Sequence, residues 1–273
     1  MQTMAELRAA AVAGLFYPGE AKALAHDVQA LLTAVTPTEL PASIPKALIV
    51  PHAGYVYSGP VAATAYARLQ PLRGTIRRVV LLGPVHRVPV LGLALPDTRA
   101  FETPLGRIPI DREAVNHILS LRQVTISAAA HALEHSLEVQ LPFLQQVLGD
   151  FRLVPLAVGD ATPEQVAEVI EALWGGPETL IVVSSDLSHY LPYQTAQSID
   201  HQTCLTIARL KTLDSHEQAC GATPVNGLLL AARQHHLTPQ LLDLRNSGDT
   251  AGDRGRVVGY AAFAFTEEPA HAT

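Results

Sequence analysis

Three short apolar runs constrain the fold of this 273-residue chain more than any other feature. They lie in predicted strands over 47–50, 77–82 and 179–186, and their apolar residues are 47–50, 79–82 and 180–183. Runs of this kind are typical of strands buried on both faces of a parallel sheet. Apolar residues at helical spacing over 60–69, with Ser58 as N-cap and Pro60 in the first turn, connect the first run to the second. The pattern predicts a βαβ unit whose two strands are neighbours.

The rest of the chain alternates between strand and helix patterns. An antiparallel hairpin is expected over 101–110, before a helix over 112–121 with Asp111 as its N-cap. Thr162, followed by a proline, marks the start of a helix over 162–174. Further strands are predicted at 90–95, 151–158, 240–245 and 256–265, and further helices at 20–32, 137–144, 194–213 and 225–235. The alternation predicts an α/β fold with a mixed, largely parallel central sheet flanked by helices.

Composition narrows the class of protein. With 48% hydrophobic residues the chain can bury one large core, so we expect a single domain over 1–273, its core at about 14–265 and its termini flexible. We expect 7–14 to be a weakly held lead-in and 36–45 to be a connector. The net charge of −6 argues against nucleic acid as a binding partner, and no apolar run is long enough to span a membrane. The chain has two cysteines, too few for a disulfide framework, so we expect a cytoplasmic protein.

A histidine follows each of the three apolar runs. His52 and His86 come after the first two, and Asp186 and His189 come after the third. The carboxyl ends of parallel strands share one edge of the sheet, which is where α/β folds bind ligands. For any single histidine a turn-forming role is an equal alternative. Together with Cys220, in a loop, the set offers imidazole, thiolate and carboxylate, and so predicts a transition-metal pocket.

Two other motifs suggest chemistry less strongly. His131, Glu134 and His135 match H-x-x-E-H, an inverted zinc-protease signature, but the preceding residues give no sign that His131 lies on the same helix. Ser184 and Ser185 precede an aspartate and a histidine, as in serine hydrolases, yet the G-x-S-x-G elbow is absent from the sequence. We therefore disfavour both interpretations.

Seven motifs, in this order along the chain, resemble those of the MEMO-like family. In prokaryotes its members are called AmmeMemoRadiSam system protein B. The resemblance runs from about residue 14 to 265. The motifs are Phe16-Tyr17-Pro18, Pro51-His52-Ala53-Gly54-Tyr55 with Tyr57-Ser58-Gly59, Gly83-Pro84-Val85-His86, Glu134-His135-Ser136-Leu137-Glu138, Ser184-Ser185-Asp186-Leu187-Ser188-His189, Cys220-Gly221-Ala222-Thr223-Pro224 and Val258-Gly259-Tyr260-Ala261.

The resemblance implies a fold similar to class III extradiol dioxygenases, which hold non-haem Fe(II) with two histidines and a carboxylate. It implies that His52, His86 and Cys220 are metal ligands, with Cys220 in the place of the carboxylate. Iron(II) is the expected metal, and copper or zinc are alternatives because a thiolate is a softer ligand. Arg87 stands where animal members carry a second histidine, so no auxiliary ligand is expected there.

The resemblance also implies roles for three further residues. His189 matches an acid–base histidine of the dioxygenases, Asp186 would orient it, and His135 would be a further catalytic pocket residue. The substrate would be a small molecule of unknown identity. The prokaryotic family name implies a functional link to radical-SAM and AMMECR-type proteins.

Three functions remain open at this stage. The first is oxygenase or redox chemistry at a His/His/Cys iron site. The second is a non-catalytic iron- or copper-binding protein. The third is a metal-dependent hydrolase, in which Glu134 or His189 would be the base that activates water.

Overall fold

A computed structural model describes residues 5–35 and 44–267 of the chain. The expected flexible tail falls largely outside these residues, as does most of the connector 36–45. The strands are β1 (Ala5–Arg8), β2 (Pro45–Val50), β3 (Arg78–Pro84), β4 (Leu93–Leu95), β5 (Thr98–Thr103), β6 (Gly106–Pro109), β7 (Val124–Ile126), β8 (Arg152–Val158), β9 (Thr179–Ser184), β10 (His189–Leu191), β11 (Leu237–Asn246) and β12 (Val257–Glu267).

Helices flank the main sheet, as predicted for an α/β fold. Asp111 and Thr162 both cap helices as predicted, since each side chain accepts a main-chain N–H three residues on. The α-helices are α1 (Ala21–Thr33), α2 (Tyr55–Tyr66), α3 (Arg112–Ile118), α4 (Ala128–Ala132), α5 (Leu141–Leu148), α6 (Pro163–Ala172), α7 (Tyr193–Ala208) and α8 (Ala222–Gln234).

The main sheet has nine strands and is mixed, as predicted. Its central strands run in the order β2-β9-β3-β8 and are parallel. Antiparallel pairing of β12 with β2, β10 and β11 extends one side, and β4 and β7 extend the other. The predicted hairpin is β5 and β6, which forms a separate three-stranded sheet with β1.

The prediction that the first two strands are neighbours is wrong. Strand β9 lies between β2 and β3 and pairs in parallel with both. Sequence order indicates a crossover but does not count the positions it skips, and β9 arrives from about 100 residues later in the chain. The insertion places the ends of all three apolar strands side by side. Three loops therefore start at adjacent positions on one sheet edge.

Two helix boundaries also differ from the predictions. Helix α2 begins at Tyr55 with Gly54 as N-cap, so Pro60 lies inside it. Ser58 does not cap the helix, because its hydroxyl donates instead to the main-chain oxygen of Ala53. The helix predicted over 137–144 begins only at Leu141, after a 3₁₀ turn. Buried side chains hold the residues before it in an irregular conformation. The spacing of apolar residues along the sequence does not reveal such side chains.

The N-terminal lead-in is also better fixed than predicted. Strand β1 pairs in parallel with β5, and the Arg8 side chain is buried. Among the described helices, none is long and apolar enough to cross a membrane.

Candidate metal centre

Loops after three adjacent strands carry the candidate residues. His52 follows β2, His86 follows β3, and Asp186 follows β9. Cys220 comes from a distant segment, just before α8, and its main-chain N–H donates to the main-chain oxygen of Asp186 at 3.2 Å. His135 lies in the loop between α4 and α5.

Two glycines permit these loops to approach one another. A Cβ on Gly221 would lie 2.7 Å from the Cβ of Ser185, and one on Gly83 would lie 2.8 Å from the Oγ of Ser136. Real side chains do not tolerate such distances, so any larger residue would push the Cys220 segment or the His135 loop away from the strand ends.

His52, His86 and Cys220 form a group that fits a metal ion. One donor atom from each residue lies within 4.8 Å of the other two. Nε2 of His52 is 3.4 Å from Sγ of Cys220, and the two imidazole rings are 5.2 Å apart between centroids. The structure thus brings together the three residues predicted as ligands.

The His52 ring is oriented by a buried serine. Oγ of Ser184 donates its single hydrogen to the main-chain oxygen of Ser136 at 2.7 Å. It therefore accepts from Nδ1 of His52, 2.8 Å away, and from the amide of Gln140 at 2.9 Å. Nδ1 of His52 carries the proton, so Nε2 presents its lone pair towards Cys220. Burial, then the nearby His135 and His86, lower the pKa of His52 well below its usual value, so the ring is neutral.

The buried carboxylate of Glu134 orients the ring of His86. Nδ1 of His86 is 2.9 Å from Oε1 of Glu134, and the main-chain N–H of His86 donates to Oε2 at 2.6 Å. The main-chain N–H groups of His135 and Ser136 also donate to Oε1, both at 2.9 Å. Burial alone would raise the pKa of Glu134, but hydrogen bonds, first from His86 and then from Ser136, lower it to about 2. An ionised carboxylate only accepts, so Nδ1 of His86 donates to it, and Nε2 is the ring nitrogen left to bind a ligand.

The surroundings of Cys220 favour the protonated form of its thiol. Burial, and then the neighbouring Asp186, raise its pKa to about 12. Sγ lies 3.4 Å from Nε2 of His52 and 3.7 Å from the main-chain oxygen of Asp186, and either atom can accept its proton. A cation between the thiol and the two imidazoles would displace that proton, because thiolates rather than thiols ligate metals.

Asp186 and His189 lie beside this group. Oδ1 of Asp186 accepts the main-chain N–H of His52 at 2.7 Å, and Oδ2 is 4.0 Å from Nε2 of His52. Burial raises the pKa of Asp186. Nδ1 of His189 donates to the main-chain oxygen of Leu187 at 2.8 Å, which leaves its Nε2 free. The next residue, Tyr190, has φ of 57°, a left-handed conformation that is strained for an aromatic residue and typical of functional sites.

The H-x-x-E-H motif does not form a protease site. Helix α4 ends at Ala132, so His131 and His135 are not on one helix. Nε2 of His131 donates to the main-chain oxygen of Ala94 at 2.8 Å, away from the metal group. His135 does reach the site, with its ring 4.6 Å from that of His86. A second group, His86, Glu134 and His135, has donor atoms equally close, but N–H donors already occupy the Glu134 carboxylate.

A cavity of about 960 Å³ opens beside the metal group, with His86, His189 and Cys220 in its lining. Its volume lies at the upper end of the range for small-molecule sites. The remaining lining residues are Tyr190, Leu191, Ile199, Gln202, Ser215, His216, Glu217 and Gln218. The mixture of apolar and hydrogen-bonding groups suits a small amphipathic molecule.

Comparison with known proteins establishes the family. The model of the Memo-like protein family matches residues 8–264. The chain belongs to the Memo-like family. A "MEMO1 family protein" of Ignicoccus hospitalis is 37% identical and aligns over 95% of this chain and 98% of that protein. The proteins of the same name in Aquifex aeolicus and Sulfolobus acidocaldarius are 36% and 34% identical, each over 95% of this chain and 99% of the relative.

A solved structure of an uncharacterized Escherichia coli K12 protein aligns with a TM-score of 0.49 at 17% identity, covering 78% of this chain and 98% of that chain. The match to the Memo-like family confirms the family resemblance inferred from the motifs.

The sequence patterns assign no orienting role to the residues that hold the site histidines in this Memo-like chain. They suggest that Ser184 is a strand residue or a hydrolase nucleophile, and that Glu134 is a base or a zinc-protease residue. They suggest no role for Gln140. A polar residue inside an apolar run is a signal for Ser184, because a buried hydroxyl needs a specific partner. Nothing in the local pattern points to Gln140, whose partners come from three other segments.

Proposed function

We propose that this Memo-like protein binds one transition-metal ion through Nε2 of His52, Nε2 of His86 and Sγ of Cys220, and that the metal is Fe(II). The observation that carries the proposal is the hydrogen bond that each histidine makes through Nδ1. Each Nδ1 donates to a side-chain oxygen, so Nε2 is the ring nitrogen left to ligate a metal in both residues. Metal-ligating histidines are held by this kind of hydrogen bond at the other ring nitrogen.

The donor set fits Fe(II), and it is also compatible with other transition metals. Two imidazoles and one thiolate leave coordination positions open, as do the facial sites of non-haem iron enzymes. The thiolate makes Cu(I) or zinc the alternatives. When bound, Fe(II) would supply redox chemistry towards dioxygen and a point of attachment for a chelating substrate.

The chain's own residues would then hold and protonate a small molecule. The cavity beside His86 and Cys220 would contain it, in contact with the apolar side chains of Leu191 and Ile199 in the lining. His189, whose Nε2 is free, would take or give a proton at that atom. Asp186 would help to keep the loop of His52 in place, since it accepts that residue's main-chain N–H. This is dioxygenase-type oxidoreductase chemistry.

A metal-dependent hydrolase is the second candidate, and the geometry narrows it. Glu134 is a poor base, because four N–H donors occupy its carboxylate and its pKa is about 2. His189 is the base that this alternative requires. It predicts activity with zinc in the absence of oxygen, which an oxygenase lacks.

The test is the metal content of protein purified without oxygen, measured by elemental analysis. Wild type is compared with Cys220→Ser, His52→Ala and, as a matched control, Cys204→Ser. Cys204 is the other cysteine of the chain and is buried in α7. Iron near one equivalent in wild type and Cys204→Ser, and lost in the other two, is the expected result. Full metal content in His52→Ala would refute the proposed site.

Metal content combined with activity assays separates the alternatives. Stoichiometric zinc, with hydrolysis of ester substrates under nitrogen, would favour the hydrolase. Stoichiometric iron or copper without turnover of catechol-like compounds would favour a non-catalytic metal-binding protein.

A further inference from the structure

The N-terminal segment reaches the metal centre through a buried carboxylate. Glu138 is fully buried, and within the described residues every donor to its side chain comes from residues 8–17. The main-chain N–H groups of Ala11 and Val12 donate at 2.8 and 3.0 Å, and the hydroxyl of Tyr17 donates at 2.6 Å. Arg8 completes the set with an ion pair. Burial and the nearby Glu138 raise the pKa of Tyr17, which keeps its hydroxyl a donor.

Arg8 does more than neutralise this carboxylate. Its Nε donates to the main-chain oxygen of His131 at 3.0 Å, and its Nη2 donates to the main-chain oxygen of Glu134 at 2.7 Å. The planar guanidinium therefore joins three points of the segment 131–138, which lysine could not do with a single ammonium group. The ring of Phe101 lies 5.1 Å below the guanidinium carbon and closes the other side.

The loop that Arg8 holds is the loop that orients His86. Arg8 fixes the main chain of Glu134, and the side chain of Glu134 holds both the main-chain N–H and the Nδ1 of His86. The same N-terminal segment contacts the site directly, because Phe16 lies against the ring of His135 at 4.8 Å. A buried ion pair is weak evidence for stability alone, since apolar replacements of such pairs are often neutral.

We propose that Arg8 is a positioning residue for the metal centre, acting through Glu134 on His86. This inference rests on the proposed function, because it assigns Arg8 a role in metal affinity. β1 and the turn after it thus belong to the site rather than to a peripheral extension.

The test compares two substitutions that disturb the same buried cluster. Arg8→Lys keeps the positive charge beside Glu138 but loses the simultaneous bonds to the main-chain oxygens of His131 and Glu134. Tyr17→Phe removes one hydrogen bond to Glu138 and leaves those carbonyl bonds intact. Thermal unfolding and circular dichroism establish that both variants are folded. Co(II) is the probe, because its visible spectrum reports thiolate ligation and coordination number.

We expect Arg8→Lys to bind Co(II) about tenfold more weakly than wild type, with an altered ligand-field spectrum, as for other residues that orient a metal-bound histidine. Tyr17→Phe should be destabilised to a similar extent but keep the wild-type affinity and spectrum. Equal affinity in Arg8→Lys and wild type, or an equal loss in Tyr17→Phe, would overturn the proposal.

A second readout needs no metal. The Nδ1 proton of His86, assigned by comparison with His86→Gln, should give a slowly exchanging imidazole signal in the NMR spectrum of the metal-free wild type. Arg8→Lys should weaken or shift that signal, and Tyr17→Phe should not. If wild type fails to bind Co(II), the proposed function is wrong, and this signal still decides whether Arg8 positions His86.

Discussion

Nδ1 of His86 lies 2.9 Å from Oε1 of Glu134, and the main-chain N–H of the same histidine donates to the other carboxylate oxygen at 2.6 Å. One buried carboxylate therefore fixes the position of the residue, the rotation of its ring and its tautomer. Glu134 lies 48 residues further along the chain, on another loop. The relationship gives a strand-end histidine a fixed ring orientation, with Nδ1 bonded to the carboxylate.

Replacing Glu134 by glutamine should weaken metal binding by about 10–100-fold, the usual cost of losing a residue that orients a ligating histidine. The amide group of glutamine would oppose the N–H donors that surround the carboxylate. Co(II) or zinc affinity, measured by competition with a chromogenic chelator, tests this. The matched control is Glu171→Gln, because Oε2 of Glu171 also contacts a histidine, His235, at 2.8 Å. Equal effects of the two substitutions would contradict the assignment.

Ser184→Ala should affect both stability and metal affinity. It removes the acceptor for Nδ1 of His52 and leaves the amide of Gln140 and the main-chain oxygen of Ser136 with one partner fewer. Each buried polar group left unpaired costs about 1–3 kcal/mol, so the free energy of unfolding should fall by at least this amount. Metal affinity should fall about tenfold as the ring loses its orientation. A loss of stability with unchanged affinity would show that Ser184 serves the core alone.

Gly259→Ala should destabilise the protein, because a Cβ there would lie 2.0 Å from Oδ2 of the buried Asp200. Strain of this kind in a packed interior costs about 1–3 kcal/mol. Urea denaturation measures the change in the free energy of unfolding. Adding Asp200→Ala to Gly259→Ala removes the carboxylate from the clash. The double variant should therefore lose less stability than the sum of the two single variants. Strict additivity would exclude this contact as the cause.

The stability of the protein should depend on pH through Asp200. Its Oδ1 accepts the main-chain N–H of Ser188 at 3.0 Å, and its Oδ2 has no hydrogen-bond partner among residues 5–35 and 44–267. Burial raises its pKa from 3.8 to about 6. Between these values the unfolded chain has released the proton and the folded protein has kept it. Asp200 therefore lowers stability progressively as pH rises from about 4 to 6, and the cost persists above 6.

Asp200→Asn should remove that component, which is on the order of 2–3 kcal/mol for a shift of this size. Urea denaturation of wild type and Asp200→Asn at several pH values between 4 and 7 provides the measurement. The difference in unfolding free energy should change across this interval in favour of the variant. A difference that is constant with pH would mean that Asp200 titrates in the same range whether the chain is folded or not.

His131→Gln should leave the metal stoichiometry unchanged, although it removes a buried hydrogen bond to Ala94 and costs about 1–3 kcal/mol of stability. The H-x-x-E-H interpretation predicts the opposite, namely loss of the metal. Elemental analysis of the variant beside wild type distinguishes the two. Loss of metal from a folded His131→Gln protein would support the H-x-x-E-H residues as the metal ligands.

Local sequence patterns predicted the elements that depend on local chemistry. The buried strands follow from unbroken apolar runs, and the caps at Asp111 and Thr162 follow from side chains that reach their own helix. Helix α2 shows the limit of this reasoning. A proline suited to a first turn favoured a start near Pro60, yet the helix begins at Tyr55, whose main-chain N–H donates to the distant Phe16.

The sequence by itself determined the α/β class, the family and the residue types available to a metal pocket at the strand ends. Only the tertiary structure decided which of these residues meet. The insertion of β9 between β2 and β3 places three strand ends together, and Cys220 arrives 168 residues after His52. The orienting groups, Glu134 and Ser184, act through hydrogen bonds that need distances near 3 Å between distant segments. Such distances are properties of the packed chain, because no periodicity along the sequence encodes them.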